Sequence, residues 1–277
     1  MDLFSNKVNN ISKAYDSNEI DIILEDDHYP ISTLNQNSFY VQNTLIFHGE
    51  SNEKSETIFD FQHSPKTVLN FVFQPDLYHK KVIFKNINFH GFINNGPYIY
   101  MLFFTSTTDI NNFQIIFDHC TFTDIHGGVL YLKHNGIIQN LSNDLSSHVF
   151  FNHCRFIDVD KTILVYHIKD YYNNFKTSNS LLVHYQNSFF ESVRNIGTIF
   201  SADILFEYCY FRNIYGISEV EAAFLFSSVT GNKITISNSR FEDSIVHWNQ
   251  PYFIINNNIL EYEFIKLKTH INLYIIF

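Results

Sequence analysis

Two aspartates occupy the same position in two copies of one sequence motif, "FDHCTFTDI" (117–125) and "FNHCRFIDV" (151–159). Asp124 and Asp158 each follow the first Phe of their copy by seven residues. If the copies stack as neighbouring strands, the carboxylates lie about 5 Å apart, the separation that a retaining glycosidase uses. Stacked carboxylates could instead collect calcium. The structural alternative is that Asp at this position shapes a solvated turn.

Histidine and cysteine also recur in these two copies. His119 and His153, taken together with His126, are residues of a type that binds metals or exchanges protons near neutral pH. The alternative for the first two is that they replace Asn in a ladder of corner residues. Cys120 and Cys154 could meet across adjacent copies, but their column elsewhere holds Ser and Ile, so we interpret both as small core residues.

Exposed aromatic side chains could bind the faces of sugar rings, and Tyr171, Tyr172 and Trp248 are the candidates for ligand binding. Single aromatic residues in loops are common, so an ordinary loop competes with this interpretation. Asp124 and Asp158 are the candidates for catalysis. We assign no metal site and no cofactor, and calcium held by carboxylates is the alternative.

Six copies of the motif align without gaps, beginning at residues 84, 117, 151, 185, 206 and 236. A β-branched aliphatic residue stands two positions before each start, and Phe stands five positions after it. Apolar and polar residues alternate on both sides of a slip at the second position after the start, which indicates β-strand with a bend at the slip. The column at the bend is rich in Asn, which tolerates left-handed backbone geometry.

A looser apolar run such as "GGVLYL" or "KTILVY" follows most copies, so each coil of the chain has at least two strands. Such a unit cannot bury its apolar face alone, and coils must stack about 4.8 Å apart with like residues above like. The spacings of 33, 34, 34, 21 and 30 residues between starts fit coils with loops of variable length. The sequence therefore predicts an all-β parallel solenoid.

The ends of the chain differ from the coils. Apolar residues near the N-terminus follow helical spacing and predict an amphipathic helix, within residues 1–18, that caps the solenoid. These residues are Leu3, Phe4, Val8, Ile11 and Tyr15. Residues 19–277 form the predicted β-helix. Its last residues, "LYIIF", are apolar with no polar cap, so a chain truncated at the C-terminus is an alternative to a complete one.

The pattern of the copies, together with "GGVLYL", resembles the right-handed parallel β-helix of pectin-lyase-like proteins. It is also similar to the FxxN and GGA[IV] repeats of polymorphic outer-membrane and adhesin-type passenger domains. The segment "NEIDIILEDDHYPI" (18–31) resembles the first coil of that superfamily. The resemblance implies a right-handed β-helix over about residues 20–260, an extracellular or cell-surface protein, and a fold that hosts many activities.

Composition narrows the range of partners. A formal charge of -10 with only four Arg argues against nucleic acid, and an acidic polysaccharide would be repelled unless calcium bridged it. No apolar run approaches the roughly 20 residues of a membrane helix, so we expect no membrane span in this chain. The N-terminus shows no apolar core of a signal peptide, which conflicts with the localisation that the resemblance implies.

Catalytic motifs of the similar enzymes are missing from the sequence. It has no N-T-D, G-H-G or R-I-K segment, and its four scattered Arg predict no cluster on one face of the kind that pectate lyases need. The leading hypothesis is a non-catalytic, monomeric β-helix that serves as a surface or secreted binding or adhesion module for carbohydrate or another protein. The alternatives are a polysaccharide lyase or glycoside hydrolase that uses Asp124 and Asp158, and a structural spacer or part of a larger receptor.

Overall fold

The structure is a computed structural model. It describes residues 2–14, 18–31, 37–49, 56–64, 67–74, 79–94, 100–106, 113–135, 147–167, 181–215, 224–227, 231–243, 253–255, 259–263, 266–268 and 275–276. These residues form one helix, α1 (Asp2–Ala14), and 24 strands that stack in parallel from coil to coil. The predicted all-β parallel solenoid with an N-terminal capping helix is confirmed.

Three strands per coil define three faces, one more strand than the minimum that the sequence predicted. Face 1 consists of β1 (Glu19–Leu24), β4 (Thr44–Gly49), β7 (Lys80–Lys85), β10 (Phe113–Asp118), β12 (Val149–Asn152), β14 (Leu182–Gln186), β16 (Asp203–Glu207), β19 (Lys233–Ser237) and β22 (Ile259–Glu263). Face 2 consists of β2 (His28–Pro30), β5 (Thr57–Asp60), β8 (Ile87–Ile93), the first halves of β11 (Thr121–His134), β13 (Arg155–His167) and β15 (Phe189–Ile199), then β17 (Tyr210–Arg212), β20 (Arg240–Glu242) and β23 (Lys266–Lys268). Face 3 consists of β3 (Asn37–Val41), β6 (Leu69–Phe73), β9 (Tyr100–Ser106), the second halves of the three long strands, then β18 (Leu225–Ser227), β21 (Phe253–Ile255) and β24 (Ile275–Ile276).

The three long strands β11, β13 and β15 cross from face 2 to face 3 and join the two faces into one 15-stranded sheet. The register between β11 and β13 shifts between Ile125 and Gly128, so the strands bend there. A Cβ atom on Gly128 would collide with the ring of Tyr100 in the preceding coil. Glycine at this position therefore allows the close approach of the two coils.

Two stacks of aromatic rings fill the core between faces 1 and 2. The residues at the six predicted starts lie in register from coil to coil. The rings of the first five, from Phe84 to Phe206, stack with centroid distances of 4.6 to 5.1 Å. The Phe residues five positions later stack in the same way at 4.5 to 5.1 Å, from Phe89 to Phe241. Rings of the two stacks meet edge to face, as Phe117 and Phe122 do at 5.5 Å. These geometries are the favourable ones for aromatic pairs.

Two corner positions of each copy hold the backbone in the left-handed region. The first corner, between faces 1 and 2, has φ of 49° to 54° at Asn86, His119, His153, Asn187, Tyr208 and Asn238. The second corner, between faces 2 and 3, has φ of 47° to 71° at Gly91, Asp124, Asp158, Ser192, Asn213 and Asp243. Gly, Asn and Asp reach this region at the lowest cost, which explains most of both columns.

The three thiols point into the core beside the first corner. Cys120 and Cys154 are fully buried, and each thiol donates to the carbonyl of a start residue in the preceding coil, Phe84 and Phe117, at 3.4 Å. The Ser188 hydroxyl donates to the corresponding carbonyl, also at 3.4 Å, so Cys and Ser are interchangeable here. Burial raises the pKa of the Cys120 thiol to about 12, which keeps it protonated and unreactive.

Helix α1 covers the free edge of face 3 in the first coil. The Asn9 amide accepts a hydrogen bond from the Tyr40 N–H and donates one to the Ser38 carbonyl, both at 2.9 Å. A single side chain thus replaces the missing strand beside β3, where an open edge would otherwise invite pairing with another chain. With 13 residues, α1 is too short to cross a membrane, and the described part of the chain has no other helix.

Two adjacent phenylalanines provide a direct test of which way the strands face. Phe190 is fully buried between Phe156 and Phe211, whereas Phe189 points outward from face 2 and is half-buried. We expect Phe190→Ala to lower the free energy of unfolding by about 3–5 kcal/mol because it leaves a cavity in the ring stack. The matched Phe189→Ala should cost about 1 kcal/mol. Urea denaturation followed by circular dichroism measures both, and equal losses would contradict the assignment of faces.

A buried histidine makes the fold sensitive to acid. His148 is nine-tenths buried beside Phe113, and its Nδ1 accepts a hydrogen bond from the Leu182 N–H at 3.0 Å. Burial, reinforced by nearby His79, lowers the pKa of His148 from 6.5 to about 4. The unfolded chain therefore binds a proton between these pH values that the folded chain does not bind.

The stabilisation from neutral His148 is fully present above pH 6.5 and is lost as the pH falls towards 4. The loss should reach about 3 kcal/mol. His148→Asn keeps an acceptor for the Leu182 N–H but cannot be protonated, so its free energy of unfolding should fall less steeply over this range. Urea denaturation at a series of pH values tests this, and identical slopes in the two proteins would refute the role of His148.

Candidate functional site

The two predicted catalytic aspartates occupy adjacent coils at the second corner. Thr123 pairs with Ile157 and Ile125 with Val159, so Asp124 and Asp158 stand at equivalent positions one strand apart. Both have left-handed backbones, with φ of 56° and 55°. Their joint action as an acid and base pair stays a prediction. The backbone geometry alone accounts for Asp at both positions.

The side chains of the two aspartates have different surroundings. One carboxylate oxygen of Asp124 lies 3.1 Å from His126 Nε2, and the other lies 3.6 Å from His63 Nε2. Asp158 is exposed and has no ion-pair partner within the described ranges. Asp124 is therefore oriented by two imidazoles, while Asp158 faces solvent.

A chain of ionisable side chains continues from Asp124 along the solenoid axis. His126 Nδ1 lies 3.8 Å from an Asp160 oxygen, and the Arg194 guanidinium lies 3.0 Å from the same oxygen. A hydrogen bond with Tyr215 and the charge of Asp160 raise the pKa of Arg194 above its ordinary value. We call the set His63, Asp124, His126, Asp160 and Arg194 the polar corner.

The contact between His63 and Asp124 passes over an intervening coil, whose second corner is a glycine. His63 lies two coils before Asp124, and Gly91 occupies the corner in the coil between them. A Cβ atom on Gly91 would lie 3.2 Å from an Asp60 oxygen and 3.7 Å from His63 Cε1, and φ there is 71°. The contact with Asp60 would be tight, whereas the distance to His63 is ordinary van der Waals contact. Glycine at this corner is therefore favoured by its left-handed backbone and by the nearby Asp60 carboxylate.

Asp60 lies in the same coil as His63, three residues before it. Its carboxylate accepts hydrogen bonds from the Gln62 N–H at 2.8 Å and from His28 Nε2 at 2.9 Å. Partial burial would raise the pKa of Asp60, but the two hydrogen bonds and the nearby imidazoles outweigh it, so the pKa lies below its ordinary value. Asp60 is therefore ionised over the whole range from weakly acidic to alkaline pH.

Face 2 carries a second arrangement that the sequence reasoning missed. Four outward-facing side chains lie in register on four successive coils, and we call them the face 2 strip. They are Arg155, Phe189, Tyr210 and Arg240. The Arg155 guanidinium lies 5.8 Å from the Phe189 ring centroid, the two rings lie 5.3 Å apart, and the Arg240 guanidinium lies 5.3 Å from Tyr210. Each end of the strip is thus a cation held over an aromatic ring.

The column next to the face 2 strip carries charges of both signs. Arg212 forms an ion pair with Glu191 at 3.2 Å, and Glu242 contacts both Arg240 and the Tyr210 hydroxyl. Arg155 is exposed and, within the described part of the chain, contacts the Phe189 ring but no carboxylate. Arg155 therefore presents its guanidinium donors to a ligand.

The four Arg are scattered in the sequence, but the fold brings them to one side of the solenoid. Three of them lie on face 2 within four coils, and Arg194 lies at the neighbouring corner. The alignment of the copies already placed the residues of the face 2 strip in one column, because each stands four residues after a start. The column mixes aromatic and cationic residues, so it shows no conserved chemical type from coil to coil. The predicted ligand-binding residues Tyr171, Tyr172 and Trp248 lie outside the described residues.

One group of side chains within the described ranges has the composition of a metal site. Asp118, His119 and His153 lie at the first corner, with one ligand atom of each within 4.8 Å of the other two. Comparison with known proteins adds no assignment, because no family model and no curated protein matches the chain. The function must therefore be inferred from the geometry of the faces and corners.

Substitutions at Asp158 separate a backbone role of the second corner from a chemical one. Asp158→Gly and Asp158→Asn keep residues that tolerate the left-handed region, so each should change the free energy of unfolding by less than about 0.5 kcal/mol. Asp158→Val should cost about 1–2 kcal/mol, because a β-branched residue is strained there. Ile157→Val, one position earlier in extended backbone, is the control. Equal stability of all the Asp158 variants in urea denaturation would contradict a structural role for this corner.

Proposed function

We propose that this protein is a non-catalytic binding module that contacts an acidic polysaccharide through the face 2 strip. The observation that carries the proposal is Arg155, an exposed guanidinium held over the Phe189 ring with no carboxylate partner among the described residues. A guanidinium stacked in this way keeps its N–H donors in one plane and can bind a carboxylate through two hydrogen bonds. The aromatic contact holds the side chain in place before the ligand arrives.

The length and direction of the strip suit a chain-like ligand. Arg155 and Arg240 are three coils apart, which corresponds to about 14 Å along the solenoid axis. An extended polysaccharide lying along this axis would contact both cations and the Tyr210 hydroxyl between them. Arg155 is the primary contact, because Arg212 and Arg240 already have Glu191 and Glu242 as partners.

The charge of the whole protein does not exclude an acidic ligand. The formal charge of -10 repels anions at a distance, but the Debye length is about 8 Å at physiological ionic strength. Within the four coils of the strip, Arg155, Arg212 and Arg240 lie on face 2 with Glu191 and Glu242 as the carboxylates of the adjacent column. The second corner beside them is acidic, so the attraction for an anion is confined to the face 2 strip itself.

The test measures binding of polygalacturonate, alginate and neutral dextran to the purified protein by affinity electrophoresis, with and without calcium. We expect the two acidic polymers to bind and dextran not to bind. Arg155→Ala should weaken binding of the acidic polymers at least tenfold, because it removes a bidentate contact. Lys85→Ala, which removes a cation from face 1, should bind as the unchanged protein does.

Three results would overturn the proposal. Dextran bound as tightly as the acidic polymers, or binding that is unchanged in Arg155→Ala, would remove the role of the strip. Failure of both acidic polymers to bind would favour a structural spacer. Oligosaccharides released during incubation, detected by mass spectrometry and lost in Asp124→Asn or Asp158→Asn, would favour the carbohydrate-active enzyme instead.

A further inference from the structure

The first corner contains two imidazoles stacked on successive coils. The rings of His119 and His153 are parallel within 4°, their centroids lie 4.7 Å apart, and both side chains are exposed. The corner N–H of His119 donates to the Asn152 carbonyl at 2.9 Å, and that of His153 donates to the Gln186 carbonyl at 3.0 Å. The backbone under both rings is thus fixed by the stack of coils, and the rings themselves face solvent.

A carboxylate orients the first of these rings. Asp118 Oδ1 lies 3.0 Å from His119 Nδ1 and accepts a second hydrogen bond from the Asn152 side-chain amide at 2.8 Å. An Nδ1–H that donates to Asp118 leaves Nε2 of His119 with a free lone pair. A carboxylate behind a histidine is the usual arrangement around metal-binding imidazoles, because it fixes the tautomer and makes the ligand nitrogen more basic.

We propose that His119 and His153, with Asp118 orienting His119, form a binding site for a divalent transition metal ion such as Zn²⁺. Imidazole nitrogen is a preferred ligand of zinc, nickel and copper, whereas calcium prefers oxygen. Two nitrogens bound to one tetrahedral zinc lie about 3.3 Å apart. The ring centroids lie 4.7 Å apart, and rotation of the exposed His153 ring towards Nε2 of His119 closes the difference. Water or an external ligand completes the coordination.

The proposed metal site shares no residue with the face 2 strip. It lies at the corner between faces 1 and 2, where His153 stands two residues before Arg155, the first residue of its face 2 strand, and the polar corner lies on the far side of face 2. Metal binding can therefore be tested without any polysaccharide. Failure of either proposal leaves the other unaffected.

The corner itself supplies matched variants for the test. Asn occupies the same left-handed position in other coils, at Asn86, Asn187 and Asn238. His119→Asn and His153→Asn therefore keep a residue that this backbone accepts. Asn187 follows His153 on the next coil, so Asn187→His places a third imidazole beside the pair.

Isothermal titration with ZnCl₂ near neutral pH, together with the zinc-induced shift in thermal midpoint, measures the site directly. We expect the protein to bind one zinc ion at this site. His119→Asn and His153→Asn should each weaken its binding at least tenfold. Asp118→Asn should weaken it about tenfold. Asn187→His should strengthen it about tenfold. Circular dichroism confirms that each variant is folded.

His126→Asn is the control for zinc bound elsewhere, because His126 belongs to the polar corner. It should leave the affinity and stoichiometry of the first-corner site unchanged. Zinc binding that is absent in the unchanged protein would overturn the proposal. Binding that survives the double substitution of His119 and His153, or that is lost in His126→Asn instead, would also overturn it.

Discussion

The whole structure depends on the lateral register between coils. Parallel pairing places each strand residue above its counterpart in the preceding coil, at a spacing of about 4.8 Å. Phe117 therefore stacks on Phe84 and supports Phe151, and the same rule governs Phe122 with its two neighbours. A slip of one residue would turn every ring outward and every polar side chain inward. The aromatic stacks thus fix the register and are stabilised by it.

The same rule acts on polar columns. Cys120 and Cys154 donate to equivalent carbonyls of successive coils because register makes their surroundings equivalent. The first corner brings His119 onto His153 for the same reason, and face 2 brings Phe189 beside Tyr210. Register thus creates clusters on the surface from residues 21 to 34 positions apart in the chain.

Much of the fold follows from the sequence because the core columns repeat one chemical type. The alignment of six starts predicted the pairing of Phe84 through Ile236 and the left-handed first corner, whereas the second corner was foreseen only as a solvated turn. It missed the earlier coil of Phe47, because 12 residues separate Phe47 from Phe59 where later copies have five. A longer connection between faces 1 and 2 hides that copy from a gap-free alignment. The third strand of each coil was less visible because its apolar residues follow loops of unequal length.

The surface sites were harder to predict than the core. Asp124 and Asp158 were recognised because both copies contain Asp at one position. Nothing in the sequence pairs His63 with Asp124, because the contact crosses a whole intervening coil. The Arg residues looked scattered because charge on an outward column carries no periodic signal. Packing constrains inward positions in every coil, whereas outward positions vary with the chemistry of each coil.

The direction of the hydrogen bonds between strands has a mechanical consequence. Strands within one coil lie on different faces, so the strand pairing joins each coil to the next along the axis. A force applied along that axis loads these bonds in series, and the coils should detach one at a time from an end. A force applied along the strands loads all the bonds of a face together in shear. The solenoid should therefore yield readily when stretched lengthwise and resist strongly when pulled sideways.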